Sequence, residues 1–142
     1  MGANTAFTVT EQVYVPPARA WALLTDWAAA PAWMPGVSEM HAEGPLVAGQ
    51  TIDFHSQGHD RSCTVSQLDV GRSITIASSQ GDVQAYYRYE LDGDGGATRL
   101  TLTADVVISE ELAAMADQIR AAMAEADAGQ LTGFKRFAEA AP

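Results

Sequence analysis

Residues 7–15 place Phe7, Val9, Glu11, Val13 and Val15 on one side of an extended chain and Thr8, Thr10, Gln12 and Tyr14 on the other. That two-residue period is the signature of a half-buried strand. Pro16-Pro17 ends the run, because proline donates no ladder hydrogen bond, and Pro17 suits the first turn of a helix. Residues 18–27 read as that helix, with Trp21, Leu23 and Leu24 inward, and residues 28–34 as a shorter helical piece broken at Pro31 and closed by Pro35-Gly36. From Val37 onward, glycine and aspartate turns at 44–49, 58, 71, 81–82 and 92–96 separate strand-like runs at 37–43, 51–57, 61–70, 72–79, 83–91 and 98–108. Turns this short join antiparallel hairpins, not parallel crossovers.

The last part of the chain changes period. Over residues 109–141, Leu112, Met115, Ile119, Met123, Ala126, Gln130, Phe134 and Phe137 recur every three or four positions, a broad stripe along one side of a helix. Ser109 stands where an N-cap would, Glu110 and Glu111 at the positive end of the helix dipole, and Lys135 and Arg136 at the negative end. A helix of about 30 residues would be about 45 Å long, longer than any of the strands, so its stripe is expected to lie across a curved sheet. The expected architecture is a single α+β domain spanning residues 1–142. About seven antiparallel strands wrap a long C-terminal helix, two short helices follow the first strand, and a hollow lies between sheet and helix.

Composition narrows the possible roles. The net charge of −10 argues against nucleic acid and anionic membrane surfaces, which would repel the chain. No stretch approaches the length of a membrane span, and the N-terminus shows no signal-peptide pattern, so a cytoplasmic protein is expected. Cys63 is the only cysteine, which rules out an internal disulfide; its phase with Val65 suggests an inert buried thiol. The segment 44–51 has the glycine spacing of a phosphate loop but lacks the lysine and leads into a strand, so it is a turn. His41, His55 and His59 form no i, i+4 pair on a helix, since His55 falls in a strand pattern and His59 in a turn, so neither a metal nor any other cofactor is expected. Nothing decides between a monomer and a homodimer.

Strand phase singles out the residues able to do chemistry. Glu11 shares the side of Phe7, Val9 and Val13; it either reaches water at the sheet's end or meets the cavity as an acid/base group. In 51–57 the apolar pair Ile52 and Phe54 should face inward with Ser56, sending Asp53 and His55 to solvent, unless a bulge inverts the register and brings the Asp/His pair inside. In 83–91, Tyr87 and Tyr89 share a side with Val83, Ala85 and Leu91, where they either present an apolar wall with polar tips to the cavity or pack on the long helix and bond to backbone. Trp33 and Met34 should sit near the mouth as lid or plug, Leu102 on the last strand, and Met115, Ile119 and Met123 on the floor. Arg61, Arg88 and Arg99 are read as balancing the acidic surface.

The order of these elements, with the residues 15–27 (Val-Pro-Pro-Ala-Arg-Ala-Trp-Ala-Leu-Leu-Thr-Asp-Trp) and 31–37 (Pro-Ala-Trp-Met-Pro-Gly-Val), resembles the SRPBCC superfamily. That group includes START domains, the birch-pollen allergen group and polyketide cyclase/dehydrase-like proteins. Val65, Leu68-Asp69 and Arg72, the hairpin at 95–100 and the helix end at 131–139 are also similar to it. The resemblance implies a helix-grip fold and does not single out a function. The first expectation is a hydrophobic, partly oxygenated ligand (a lipid, polyketide or aromatic metabolite) touching Trp33, Met34, Phe54, Tyr87, Tyr89, Leu102, Met115, Ile119 and Met123. The second is a cyclase/dehydratase-like enzyme drawing on Glu11, Tyr87 and His55. The third is an interaction protein with an exposed patch of Trp27 and Trp33.

Overall fold

The computed structural model of the chain describes residues 5–34, 36–56, 58–80 and 83–140. Strand β1 (Thr5–Val13) leads through Pro16 into helix α1 (Pro17–Leu24), which carries proline in its first turn, and then into a 3-10 segment, Trp27–Ala32, that accommodates Pro31. Six strands follow: β2 (Val37–Ala42), β3 (Thr51–Ser56), β4 (His59–Asp69), β5 (Ser73–Gln80), β6 (Val83–Asp94) and β7 (Ala97–Ile108). They form one antiparallel sheet of seven strands in the order β1-β7-β6-β5-β4-β3-β2, so each hairpin pairs neighbours and β1 closes onto the last strand. The turn between β6 and β7 uses Gly95 and Gly96 at φ 59° and 92°, the left-handed pair that a two-residue hairpin loop needs. Register shifts near Thr5, Val37 and Val65 add the extra residues that bend such a sheet.

The helix-grip expectation holds, but the C-terminal helix is segmented. A 3-10 stretch, Glu110–Met115, precedes α2 (Ala116–Asp127) and α3 (Gln130–Ala140), and the chain breaks step at Ala128 and Gly129. Glycine disfavours a helix interior by about 1 kcal/mol relative to alanine, and the residues flanking the break are tied to the sheet, as described below. Ser109 occupies the N-cap position without making a side-chain cap bond. Lys135 does not serve the dipole; its ammonium bonds the Gln12 carbonyl at 2.6 Å and the Glu139 carboxylate at 2.7 Å and lies 4.3 Å from the Tyr14 ring centroid, pinning α3 to β1.

The helices cover one end of the sheet. α1 packs on β6 and β7, α2 and α3 on β1, and the first 3-10 segment on β2. Val13, Leu24, Leu100, Leu102, Leu131 and Phe134 are fully enclosed there. Trp33 is also buried, at 4% exposure, edge-on to Phe134 (centroids 5.0 Å apart) and to Tyr89 (6.4 Å). Gly133 lets α3 come that close, since a Cβ on it would lie 2.8 Å from the Trp33 carbonyl oxygen. Trp33 is therefore a plug, and a patch built from Trp27 and Trp33 does not exist: only Trp27 is partly exposed. No helix among the described residues is long and apolar enough to cross a membrane.

Candidate ligand-binding cleft

Beyond the helix-covered end, the concave face of β3 to β6 is left open as a cleft of about 710 Å³. Most of its wall is the inward phase of these strands, with Asp60, Ser62 and Ser79 of the opposite phase at the rim. β3 gives Ile52, Phe54 and Ser56; β4 gives Arg61 and Cys63; β5 gives Ile76 and Ser78; β6 gives Tyr87 and Tyr89. Cross-strand pairing aligns them: Ile52 with Cys63, Phe54 with Arg61, Ile76 with Tyr87. Met34, Val37 and Trp27 close one side, and from the helices come Asp127 and Gln130, one at each side of the break.

Those two side chains reach down to the tyrosines. The Tyr87 hydroxyl donates to Asp127 Oδ2 at 2.8 Å, the Tyr89 hydroxyl donates to Gln130 Oε1 at 2.7 Å, and Gln130 Nε2 donates to Asp127 Oδ1 at 3.5 Å. A short polar chain thus runs across the upper wall of a cleft whose remaining lining mixes apolar side chains with Ser56, Asp60, Arg61, Ser62, Ser78 and Ser79. Burial, and then the neighbouring Asp127 carboxylate, pushes both phenols far above the usual tyrosine range. Tyr87 and Tyr89 therefore remain hydrogen-bond donors at any physiological pH. Burial, with the Asp53 carboxylate adding to it, pushes the Cys63 thiol up to about 12, which makes it the unreactive side chain expected from its phase.

The candidate residues divide sharply. Met34, Phe54, Tyr87 and Tyr89 line the cleft. Trp33 and Leu102 are buried in the core beside it, Leu102 with no exposed surface. Met115 is 49% exposed, and neither it nor the half-buried Ile119 and Met123 forms any of the cleft wall. Their stripe begins in a 3-10 segment and continues on α2, which packs on β1, so the floor expected there comes instead from Asp127 and Gln130. Glu11 keeps the inward phase but stands on edge strand β1, on the far side of β7 and β6, where Thr132 Oγ1 donates to its carboxylate at 3.1 Å. His55 follows the uninverted register and lies with Asp53 outside the cleft, within 2.9 Å of Asp60. Of the acid/base candidates Glu11, Tyr87 and His55, the cleft contains Tyr87.

Strand phase and helical spacing miss Asp127 and Gln130 as site residues. A signal exists all the same, because Gln130 interrupts an apolar stripe and Asp127 sits one turn before it on the same side of the helix. Arg61 is legible too: it shares the phase of Cys63 and Val65, which takes it into the cleft instead of leaving it as a surface counter-charge. No group of three or more His, Cys, Asp or Glu among the described residues is arranged to hold a metal ion.

Residues 4–139 match the family model described as polyketide cyclase / dehydrase and lipid transport. The chain belongs to that family. Solved structures repeat its fold. The Zhui aromatase/cyclase from Streptomyces sp. R1128 superposes with a TM-score of 0.73 at 19% identity over 94% of this chain and 92% of its own. A START superfamily protein from Mycobacterium smegmatis gives 0.66 at 17%, over 92% and 97%. The di-domain ARO/CYC BexL, from the BE-7585A biosynthetic pathway, gives 0.75 at 18%, over 96% of this chain and 50% of its own. At these identities the likeness establishes the shared helix-grip fold alone. No curated protein matches the chain significantly.

Proposed function

We propose that this member of the polyketide cyclase/dehydrase and lipid-transport family binds an apolar, partly oxygenated small molecule in the cleft between β3–β6 and the α2–α3 junction. The observation that carries this is the cleft itself: about 710 Å³, within the range of small-molecule sites, lined by Ile52, Phe54, Ile76, Met34 and Trp27 with the polar chain of Tyr87, Asp127, Gln130 and Tyr89 along one wall. Apolar surface supplies affinity, and a few fixed hydroxyl and amide groups orient a ligand's oxygens. Fluorescence titration with the neutral dye Nile red tests it. Saturable binding is expected, abolished by Ser78→Trp, which fills the cleft; absence of saturable binding, or binding that survives the filling variant, would count against the site.

One pair supports a second reading, a cyclase/dehydratase-like enzyme. Tyr87 and Asp127 place a phenol that stays protonated 2.8 Å from a carboxylate, a donor and an acceptor side by side at a cleft wall. When a keto chain binds, the Tyr87 hydroxyl would turn its single O–H from Asp127 to a carbonyl oxygen of the chain, and the Asp127 carboxylate so released would accept an adjacent C–H proton, the arrangement enolisation requires. Turnover of a poly-keto substrate that falls by about 100-fold or more in both Tyr87→Phe and Asp127→Asn would establish it, and unchanged turnover would dismiss it.

A further inference from the structure

We infer that the ligand of this cleft is an acid, held through a carboxylate by Arg61; this deepens the reading of the cleft as a ligand site and rests on it. The chain has eight Lys and Arg against eighteen Asp and Glu, yet Arg61 is the cation among the cleft-lining residues. Its register fixes its direction, opposite Phe54 on β3 and in step with the buried Cys63 and Val65. Among the described residues it joins no ion pair. The pairs that exist there are His41–Glu43, His55–Asp60, Arg88–Glu90, Arg120–Asp117 and Lys135–Glu139. Asp60, its neighbour in sequence and the nearest carboxylate on the same strand, is engaged by His55. The remaining acid of the cleft, Asp127, is hydrogen-bonded to Tyr87 on the far wall.

A half-buried guanidinium without a counter-ion is an unused fork of N–H donors, and its planar geometry matches a carboxylate through two parallel bonds. The acidic chain repels anions in general, so the one local cation sets where an acidic group can settle. Arg61 also stands where the charge can remain partly wet. Together with Met40, Phe54 and Asp60 it borders both the cleft and a second, outer hollow of about 590 Å³ beside β2, whose wall also carries Glu39, Asp53, His41 and His55. The charged head would therefore lie at the mouth and the apolar body inside.

The sheet also sets the spacing between the two polar ends. Val65, Ile76 and Tyr87 form one row across three strands, and Arg61 precedes Val65 by four residues. The Cα atoms of Arg61 and Tyr87 are thus about 13 Å apart along the strands and about 10 Å across them. A ligand that reaches both has an elongated apolar body with an acid at one end and an oxygen at the other.

Parinaric acid and its methyl ester, fluorescent probes that share one polyene chain and differ in whether the head group is charged, test the assignment at neutral pH in the intact chain. The acid is expected to bind about tenfold tighter than the ester, a difference of ~1.4 kcal/mol. Arg61→Gln should remove that preference by weakening the acid alone, and Arg61→Lys should restore part of it. Equal affinity of acid and ester for the parent, or an acid preference that survives Arg61→Gln, would overturn the role of Arg61 while leaving the cleft as a site. Failure of both probes, with Nile red also unbound, would overturn the cleft reading and the inference with it.

Discussion

The two ends of the sheet carry the same kind of inward-facing side chain and meet different fates. At the β1–β7–β6 end, Val13, Leu100 and Leu102 lie beneath Leu24, Leu131 and Phe134 and lose all or nearly all contact with water. At the β3–β5 end Ile52, Val65 and Ile74 are buried just as completely, but Phe54, Ile76 and Ser78 on the same strands remain half-exposed, lining the cleft. Tyr89 and Tyr87, two residues apart on β6, mark the boundary: the first is 4% exposed and faces Trp33, the second is half-buried and faces the cleft. Stability and binding are therefore assigned to different regions of one continuous sheet, and substitutions should separate them.

The widest separation is expected from Phe134→Ala at the closed end. Removing a fully buried ring that packs edge-on against Trp33 and tilted against Phe137 should cost about 3–5 kcal/mol in urea unfolding, whereas Phe54→Ala in the cleft should cost less than half as much. Equal losses would erase the distinction between the ends. Next comes Gly133→Ala, whose methyl would meet the Trp33 carbonyl at 2.8 Å; a loss of about 1–3 kcal/mol is expected, and an unchanged midpoint would mean that α3 can shift away from the plug.

The tyrosine pair sharpens the boundary itself. Tyr89→Phe leaves the buried Gln130 carbonyl without its donor and should destabilise by about 1–2 kcal/mol. Tyr87→Phe leaves an Asp127 that water can reach from the cleft, so its stability loss should be smaller and its effect on Nile red binding larger. A reversal of that order would move the boundary. Cys63 offers a chemical readout: with its thiol at about 12, it should alkylate far more slowly at pH 8 than a free cysteine, and slower still when the cleft is filled.

The smallest expected effect tests the clamp at the closed end. Hydrogen bonds from the Lys135 ammonium and the Tyr14 backbone N–H hold the Glu139 carboxyl below its ordinary value of 4.5. A lowered folded value means stability present above the unfolded value and lost as the pH falls through the folded one. Because the pair is solvent-screened, the acid-limb loss should be slight, and Glu139→Gln should remove it from the pH–stability profile.

Much of the layout is legible in the order of residues alone. Pro16-Pro17 ends the first strand, the glycine turns define the hairpins, and residue parity sends Ile52, Phe54, Tyr87 and Tyr89 inward and Asp53 and His55 outward, as the fold bears out. The match to the helix-grip layout follows from the order of those elements. Parity fails where it meets distance. Glu11 has the inward phase and still lies apart from the cleft, because phase says nothing about how many strands separate an edge from the open end. Met115, Ile119 and Met123 recur at helical spacing, yet their segment begins as a 3-10 turn and rests over β1.

Local patterning by itself determined the strands, their turns and the face each side chain presents, since two- and 3.6-residue periods are properties of backbone geometry. Only the tertiary structure decided which helical residues cover which strands. That depends on the sheet's bend, on Gly133 admitting Trp33 and on the step at Gly129 that turns Asp127 and Gln130 toward the tyrosines. These are contacts between segments distant in the chain, and no periodicity along it encodes their meeting.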